Sequence, residues 1–508
     1  MISSQTLTWF ARHELMLAWR DWASMMAGGR TTRERAVTLM TLGFVGFLHW
    51  LAYAILNPVL KGGVAIGAPA LVMLTSTLLL TFSMMLSQAI EQVTRSFYAR
   101  ADLDLILSSP APAQHLFAVR IASIALTGML MTSLLAAPFI NTAAAIDGPR
   151  WLSAYAVIGA LSSFSTGLAV MAAVALYNAV GPKRTRFIAQ IVAAVIGAAL
   201  LIGIQAVAVM TYGNLSRIQV LNSDAVLNAA PDVASMWWIP AKAVLGDAPA
   251  ALALIAAGVV FLVFVIRVYA PRFSEQAIAT ASVSDEKETN ASVKRAFVPR
   301  TALQALRAKE WQLLRRDPWL LSQSLMQVLY LMPPALLLLR DMGPNAHVHI
   351  VLAPVLVMAF GQLAGGLAWL AISGEDAHDL VATAPVPERA LVRAKNEAVL
   401  AVIAVGSAPF LFGLAFLSAW AAGVTALGIA VASGTAILIQ MWFKMTGRRT
   451  LFRRRQMASK AATFSEAFSS IFWAGATGLA AAQSWWAMVF VVFALATLAI
   501  ARFISPRA

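Results

Sequence analysis

Long apolar runs, each of about twenty residues, dominate this chain and limit what it can fold into. Inside a bilayer every backbone polar group must be satisfied by the protein itself, so such runs form spanning α-helices. The sequence predicts spans, to within a few residues, at 36–60, 65–92, 116–145, 151–180, 187–212, 249–270, 319–340, 348–372, 396–421, 424–444, 462–481 and 485–503. The predicted fold class is all-α, a polytopic membrane protein with about 12 transmembrane helices.

Composition supports the same class and excludes several others. Of the 508 residues, 60% are hydrophobic and only 12% are charged, whereas a soluble domain carries about a quarter charged residues. Soluble enzymes, secreted disulfide scaffolds and disordered tails are therefore excluded. The chain has no cysteine, which also excludes zinc–thiolate sites, iron–sulfur clusters and thiol nucleophiles.

The net charge of +15 is typical either of nucleic-acid binding or of membrane topology. Lys and Arg collect on the cytoplasmic side of membrane proteins, and this second interpretation fits a bilayer protein without a nucleic-acid partner. An even number of spans puts both termini on one side, which we predict to be the cytoplasm. Only five of the 38 basic residues then lie outside: Lys61, Arg150, Arg217, Lys242 and Arg340.

A polar stretch at residues 271–300 divides the chain. It contains a run of charged and small polar residues, which is typical of a linker on the cytoplasmic side. The sequence therefore predicts a first half at 1–270 and a second half at 301–508, with six spans each.

The segments that precede the two halves resemble each other. Aligned without gaps, Leu7, Phe10, Glu14, Leu17, Arg20 and Asp21 match Leu303, Leu306, Glu310, Leu313, Arg316 and Asp317. Apart from the arginine, these positions are spaced by three and four residues, which places apolar residues and two carboxylates on one stripe of a helix. We predict interfacial amphipathic helices at about 5–26 and 301–318. The carboxylates either contact basic groups of this chain or of a partner, or they lie on an ordinary exposed face.

A second repeat lies between the second and third span of each half. Asp104, Leu105, Pro110 and Pro112 align with Asp379, Leu380, Pro385 and Pro387, and further along Arg120 aligns with Lys395. An acidic start, a short helix-compatible stretch and a Pro-x-Pro stop predict a small helical loop. Leu105 and Leu380 would be exposed apolar groups on that loop, and such groups indicate a protein partner.

Together, the Glu…Arg-Asp helix, the six spans and the Asp-Leu-x4-Pro loop resemble the permease subunits of the type-2 class of ABC exporters, here with two halves fused. The resemblance implies an elbow helix in each half and a coupling helix that docks into an ATPase subunit. It also implies re-entrant hairpins between spans five and six, for which residues 213–247 are the candidate in the first half, whereas the second half has almost nothing between 481 and 485. The expected partners are two ABC-type ATPase subunits holding ATP and Mg, in a bacterial cytoplasmic (inner) membrane.

The chain itself lacks the residues for nucleotide chemistry. No G-x-x-x-x-G-K-[ST] phosphate loop occurs, so we expect no cofactor in this chain and ATPase activity only with a partner. The histidines are scattered, and the one tight pair, His347 and His349, is too small to close a metal site. We predict no catalytic or metal site and no enzyme activity of the chain alone.

Two other functions stay open at this point. One is a twelve-span secondary transporter of the major-facilitator type, although Ser108 to Pro112 replace the Gly-x4-Asp-x-x-Gly-Arg signature of that family. Ion coupling is disfavoured, because the ionisable residues Glu91, Arg120, Glu397, Lys444 and Glu466 fall near predicted span ends. The other is a membrane subunit that transmits a signal without transport. For an exporter, the Leu-, Met-, Phe- and Ala-rich spans suit a lipidic or amphipathic substrate.

Overall fold

The computed structural model describes residues 31–61, 67–98, 113–213, 216–282, 301–316, 348–373, 385–443 and 452–505, with a few isolated positions between them. Within these ranges the chain forms helices and turns, without strands. Nine of the helical segments there are long and apolar enough to cross a membrane. The prediction of an all-α, multi-pass membrane protein is confirmed in this coarse form.

The helices are named in chain order. They are α1 (Thr31–Leu60), α2 (Ala68–Tyr98), α3 (Ala113–Asp147), α4 (Ser153–Tyr212), α5 (Arg217–Leu221), α6 (Asp224–Ala229), α7 (Ile239–Val244), α8 (Ala248–Ser282), α9 (Ala302–Arg316), α10 (Val348–Ser373), α11 (Glu388–Leu417), α12 (Ala419–Trp442), α13 (Phe452–Ala481) and α14 (Ala487–Ile504). The predicted span at 319–340 lies outside the described residues, apart from isolated helical positions. Neither α1 nor α13 is among the nine candidate spans, although α1 has a shorter apolar part at Val45–Leu60.

Several predicted boundaries differ from the structure. Helix α8 continues to Ser282, beyond the predicted span end at 270 and into the stretch predicted as a linker. The helix predicted to end at 421 ends at Leu417, because Ser418 interrupts it and its hydroxyl caps α12 by accepting a bond from the amide of Ala421 (3.2 Å). The helix that contains the predicted span 462–481 begins earlier, at Phe452. The extra turns are polar and basic, so a hydropathy pattern does not detect them.

The basic segment Lys183 to Arg186, which the predicted spans at 151–180 and 187–212 leave as a loop between them, is helical instead. Helix α4 is broken at one residue only, Gly181, with φ 74° and ψ 170°. This conformation is essentially restricted to glycine. The helix resumes at once, with Pro182 in its first turn, where a missing N–H costs nothing. Two predicted spans therefore meet at a single-residue joint.

The chain divides into two compact units, residues 1–204 with 216–293 and residues 205–215 with 294–508. In the first unit, α3 packs against α1, α2 and α8, and α7 packs against α2 and α8. Where a hairpin was expected, at 213–247, the described residues 216–247 contain α5, α6, a 3-10 turn and α7. Trp238 is buried there with its indole N–H donating to the carbonyl of Asp232 (3.0 Å), while Trp237 is exposed.

The second unit is organised around α10. This helix packs against α11, α12 and α13, and its Leu356, Phe360 and Leu367 are fully buried. Helix α14 packs on α13, and the amphipathic α9 lies against α10 and α11. The end of α10 and the start of α11 thus meet α9 at one place, where the polar side chains converge.

Candidate functional site

Helix α9 has a well-defined start. The hydroxyl of Thr301 accepts a hydrogen bond from the amide of Gln304 (3.3 Å), and the Gln304 side chain accepts one from the amide of Thr301 (3.2 Å). This reciprocal capping box satisfies two amides that would otherwise have no partner. The helix then places Glu310 and Leu314 on its inner side, where both are buried.

Glu310 is fully buried and paired with a cation from another helix. The ammonium of Lys395, on α11, lies 3.1 Å and 3.2 Å from the two carboxylate oxygens. Lys309 Nζ is 3.3 Å from the same carboxylate and more exposed. An exposed helix face, one of the two alternatives for these carboxylates, does not describe Glu310. It contacts a basic group of its own chain.

Lys395 also holds the end of α10. Its ammonium donates a hydrogen bond to the carbonyl of Ala371, in the last turn of that helix. The last carbonyls of a helix have no partner within it, and a cation there also complements the helix dipole. Lys395 therefore joins α9, α10 and α11, and we call Glu310, Lys395 and Ala371 the three-helix latch.

A second, more exposed ion-pair group lies next to the latch. The guanidinium of Arg307 donates to Glu397 (2.6 Å) across α9 and α11, and Arg393 donates to the same carboxylate from one turn away (2.8 Å). Hydrogen bonding to Glu397 raises the pKa of Arg307 above its ordinary value. Arg393 and Glu397 also line an open groove of about 540 Å³ along α11, with Glu388, Arg389, Val392, Asn396 and Leu400.

The latch holds both ends of the second repeated loop. Helix α10 ends at Ser373 and α11 begins at Glu388, so residues 374–387 connect two helix ends that Lys395 fixes together. Pro387 immediately precedes α11, and its carbonyl accepts from the amide of Ala390 (2.9 Å). Pro385 is exposed. Asp379 and Leu380 lie outside the described residues.

Several predicted site residues cannot be placed in the same way. Those outside the described residues are Glu14, Arg20, Asp21, Asp104, Leu105, Pro110, Pro112 and Asp317. Arg316 is the last residue of α9. Arg120, which aligns with Lys395, is half-buried near the start of α3. The structure thus brings Glu310 together with Lys395, a residue that the alignment singled out without giving it a partner.

One polar site was missed by the sequence analysis. Glu466, which the sequence placed near a span end, lies midway along α13 and is buried against α10 and α12. One carboxylate oxygen accepts a hydrogen bond from the side-chain amide of Gln440 (2.7 Å). The signal was weak but present: Gly361 and Gly365 lie one turn apart on α10, and that spacing permits a close helix approach.

Metal binding has no support in the described ranges, where no three His, Asp or Glu side chains come together as ligands would. Comparison of the chain with protein-family models, with curated proteins and with solved structures finds no match.

Proposed function

We propose that this chain is the permease subunit of an ATP-driven ABC-type exporter, with two six-span halves fused and two separate ATPase subunits as partners. The observation that carries the proposal is the three-helix latch around residues 374–387. This loop contains the Asp379–Pro387 repeat, and its two ends are joined to an amphipathic helix by a buried ion pair. Such a junction suits a loop that must transmit force.

The topology in this proposal has twelve spans, with both termini in the cytoplasm of a bacterial cell and the spans in its cytoplasmic membrane. Nine candidate spans are described, and α1, residues 319–340 and α13 complete the set. Helix α9, by its polar face and its contact with span ends, would lie along the inner leaflet. The repeated loops would then face the cytoplasm, where an ATPase can reach them.

In mechanical terms, the latch makes α9 and the ends of α10 and α11 respond together. An ATPase that pushes Leu380 moves the loop, and Lys395 ties that loop to two spans. A flexible connection would absorb the movement instead. Because the pair is withdrawn from water, removing one partner leaves a buried charge, so the junction is costly to separate. The substrate class stays as predicted, lipidic or amphipathic.

The test is assembly and ATP hydrolysis with a separate ATPase that has its own phosphate loop, sought first among the genes that neighbour this one. The full chain is co-expressed with it, purified in detergent and weighed by mass photometry. We expect two ATPase subunits per chain and hydrolysis only in the complex. A chain that binds no ATPase, or only one copy, would contradict the fused two-half proposal.

A loop variant separates docking from folding. Leu105→Asp combined with Leu380→Asp should leave the chain inserted and folded but prevent co-purification of the ATPase, because both apolar contacts become charged. Ser108→Asp with Thr383→Asp adds the same charge to the same loops and serves as the matched control. Wild-type yield of the ATPase with the leucine variant would remove the coupling role.

One observation favours the second candidate function, a secondary transporter. Buried carboxylates inside spanning bundles are common in ion-coupled transport, and Glu466 is one. The two functions differ in their energy source. In proteoliposomes without any ATPase, uptake of an amphipathic dye driven by a proton gradient would favour the secondary transporter, and its absence would favour the exporter.

A further inference from the structure

The side chain of Glu466 occupies a space that glycine residues of α10 leave open. On α10, a methyl group added at Gly365 would overlap the Glu466 carboxyl group, and one added at Gly361 would lie 2.9 Å from the hydroxyl of Ser470. Ser470 follows Glu466 by one turn of α13. The backbones of α10 and α13 can therefore approach closely only because both positions are glycine, and the carboxyl group fills the gap at Gly365.

The described side chains around this carboxyl group are polar but uncharged. Gln440 on α12 donates to it (2.7 Å), and that is the one hydrogen bond the structure gives it in the described part of the chain. Near it along the same helices, the hydroxyls of Ser433 and Ser470 are buried and have no hydrogen-bond partner there. Ser469 donates to Thr435 (3.3 Å).

Other titratable groups on the helices that pack around α13 are few. Helix α10 has only His349, in its first turn, and α12 has none. Helix α14 has only Arg502, whose guanidinium lies 5.3 Å from the centre of the Trp442 ring. On α13 itself, Arg453, Arg454, Arg455 and Lys460 precede Glu466, and their side chains lie outside those described. No ion pair of Glu466 occurs within the described ranges.

An ionised carboxylate in such a place is strongly disfavoured, because burial removes its hydration and no cation among the described side chains replaces it. A single proton removes that cost and leaves a neutral acid, which still accepts the Gln440 bond. Its new O–H can donate to a neighbouring oxygen, as a neutral carboxylic acid does.

We propose that Glu466 and Gln440 form a proton-binding site inside the helix bundle of the second unit. The carboxyl group holds the proton while α10 and α13 are in contact. It gives the proton to water, leaving a carboxylate and a hydronium ion, when the helices separate at Gly365 and water enters. Rebinding reverses the same step. Proton binding at this site does not require an ATPase. The proposal of a proton site and the proposal of an exporter are therefore tested independently of each other.

The proton is observed directly by infrared difference spectroscopy of the full chain in lipid nanodiscs near neutral pH. A protonated carboxyl group in an apolar site gives a C=O stretching band that carboxylates lack. We expect this band in the wild type and its loss in Glu466→Gln, which keeps the shape and the hydrogen-bonding capacity. Glu397→Gln, at an exposed ion pair, is the control and should leave the band unchanged. A wild-type spectrum without this band would overturn the proposal.

Two more variants keep the test decisive if Glu466→Gln does not fold. Gln440→Leu removes the hydrogen bond to the carboxyl group, so the band should shift in frequency. Gly365→Ala forces α10 and α13 apart and should reduce the band, because water then reaches Glu466. Gly366→Ala is the matched control, since nothing lies within 4 Å of a methyl group at that position. A band that neither Gln440→Leu nor Gly365→Ala alters does not belong to Glu466 and contradicts the site.

Discussion

The most buried helix of each unit uses glycine residues to let neighbouring helices approach closely, but the side chains that fill the space over those glycines differ between the units. In the first unit this helix is the part of α4 before Gly181. Its Gly159 lies under Ile255 and its Gly167 under the ring of Phe261, both on α8. Its hydroxyls are used within the protein, as Ser162 donates to the carbonyl of Ala125 on α3 (2.6 Å).

In the second unit the corresponding helix is α10, and small residues again let neighbours approach. The groups that fill the space are polar, however: Ser470 over Gly361 and Glu466 over Gly365. Among the described residues, buried ionisable side chains are Glu310, Lys395 and Glu466, and all three belong to the second unit. Close packing alone therefore does not require ionisable groups, and the second unit differs from the first by having them in its interior.

The largest effect should come from breaking the three-helix latch. Lys395→Met removes the buried cation of Glu310 and leaves only the more exposed Lys309 beside it. Loss of one partner of a buried ion pair typically costs about 3–5 kcal/mol. We expect a large drop in the melting temperature of the purified chain, with partial recovery in Glu310→Gln combined with Lys395→Met. Arg120→Met is the matched change in the first unit. If Arg120→Met lowers the melting temperature as much as Lys395→Met does, the first unit has a charged junction of the same kind. The two units would then differ only in the residues of their interiors.

Glycine substitutions should give the next largest effect. Gly365→Ala overfills the contact with Glu466 and should destabilise by about 1–3 kcal/mol, the usual range for an overpacked core. Adding Glu466→Ala returns the space and should restore stability. In the first unit, Gly167→Ala meets the Phe261 ring instead. Thermal unfolding of the three variants measures the contrast, and a Gly365→Ala protein as stable as the wild type would contradict the close contact.

Hydroxyl deletions in the first unit should cost less. Ser162→Ala removes a bond between two helices and should cost about 1 kcal/mol. Ser163→Ala is the control, because that hydroxyl donates only within its own helix, to Gly159 (2.9 Å). Such back-bonding contributes little to stability. If the two variants unfold at the same temperature, the hydrogen bond of Ser162 to α3 adds nothing measurable, and packing alone stabilises the interior of the first unit.

The smallest effect is expected at the exposed ion pairs beside the latch. Arg307→Met should change stability little, and the change should shrink further as salt is added, because exposed pairs are screened. Melting curves at low and high ionic strength provide the measurement. A large, salt-independent loss would mean that Arg307 is as much a part of the junction as Lys395.

The sequence predicted the helical class well, because spans of this length leave the backbone no other choice in a bilayer. It also aligned Lys395 with Arg120 and placed Glu310 on an apolar stripe. The sequence alone could not predict the contact between Glu310 and Lys395, because the two residues are 85 positions apart and only helix packing brings α9 to α11. The pairing of Glu466 with Gln440 escaped the sequence for the same reason, because the two residues are 26 positions apart and only the packing of α12 against α13 brings them together.

The single-residue joint at Gly181 has a practical consequence for any protease. Trypsin cleaves after Lys or Arg only where several neighbouring residues can be drawn out into its cleft, and exposed loop tips usually provide them. Lys183, Arg184 and Arg186 are suitable in chemistry, but they are helical, and the carbonyl of Gly181 accepts a bond from Thr185 (2.7 Å). This basic stretch should therefore resist digestion, whichever side of the membrane it faces.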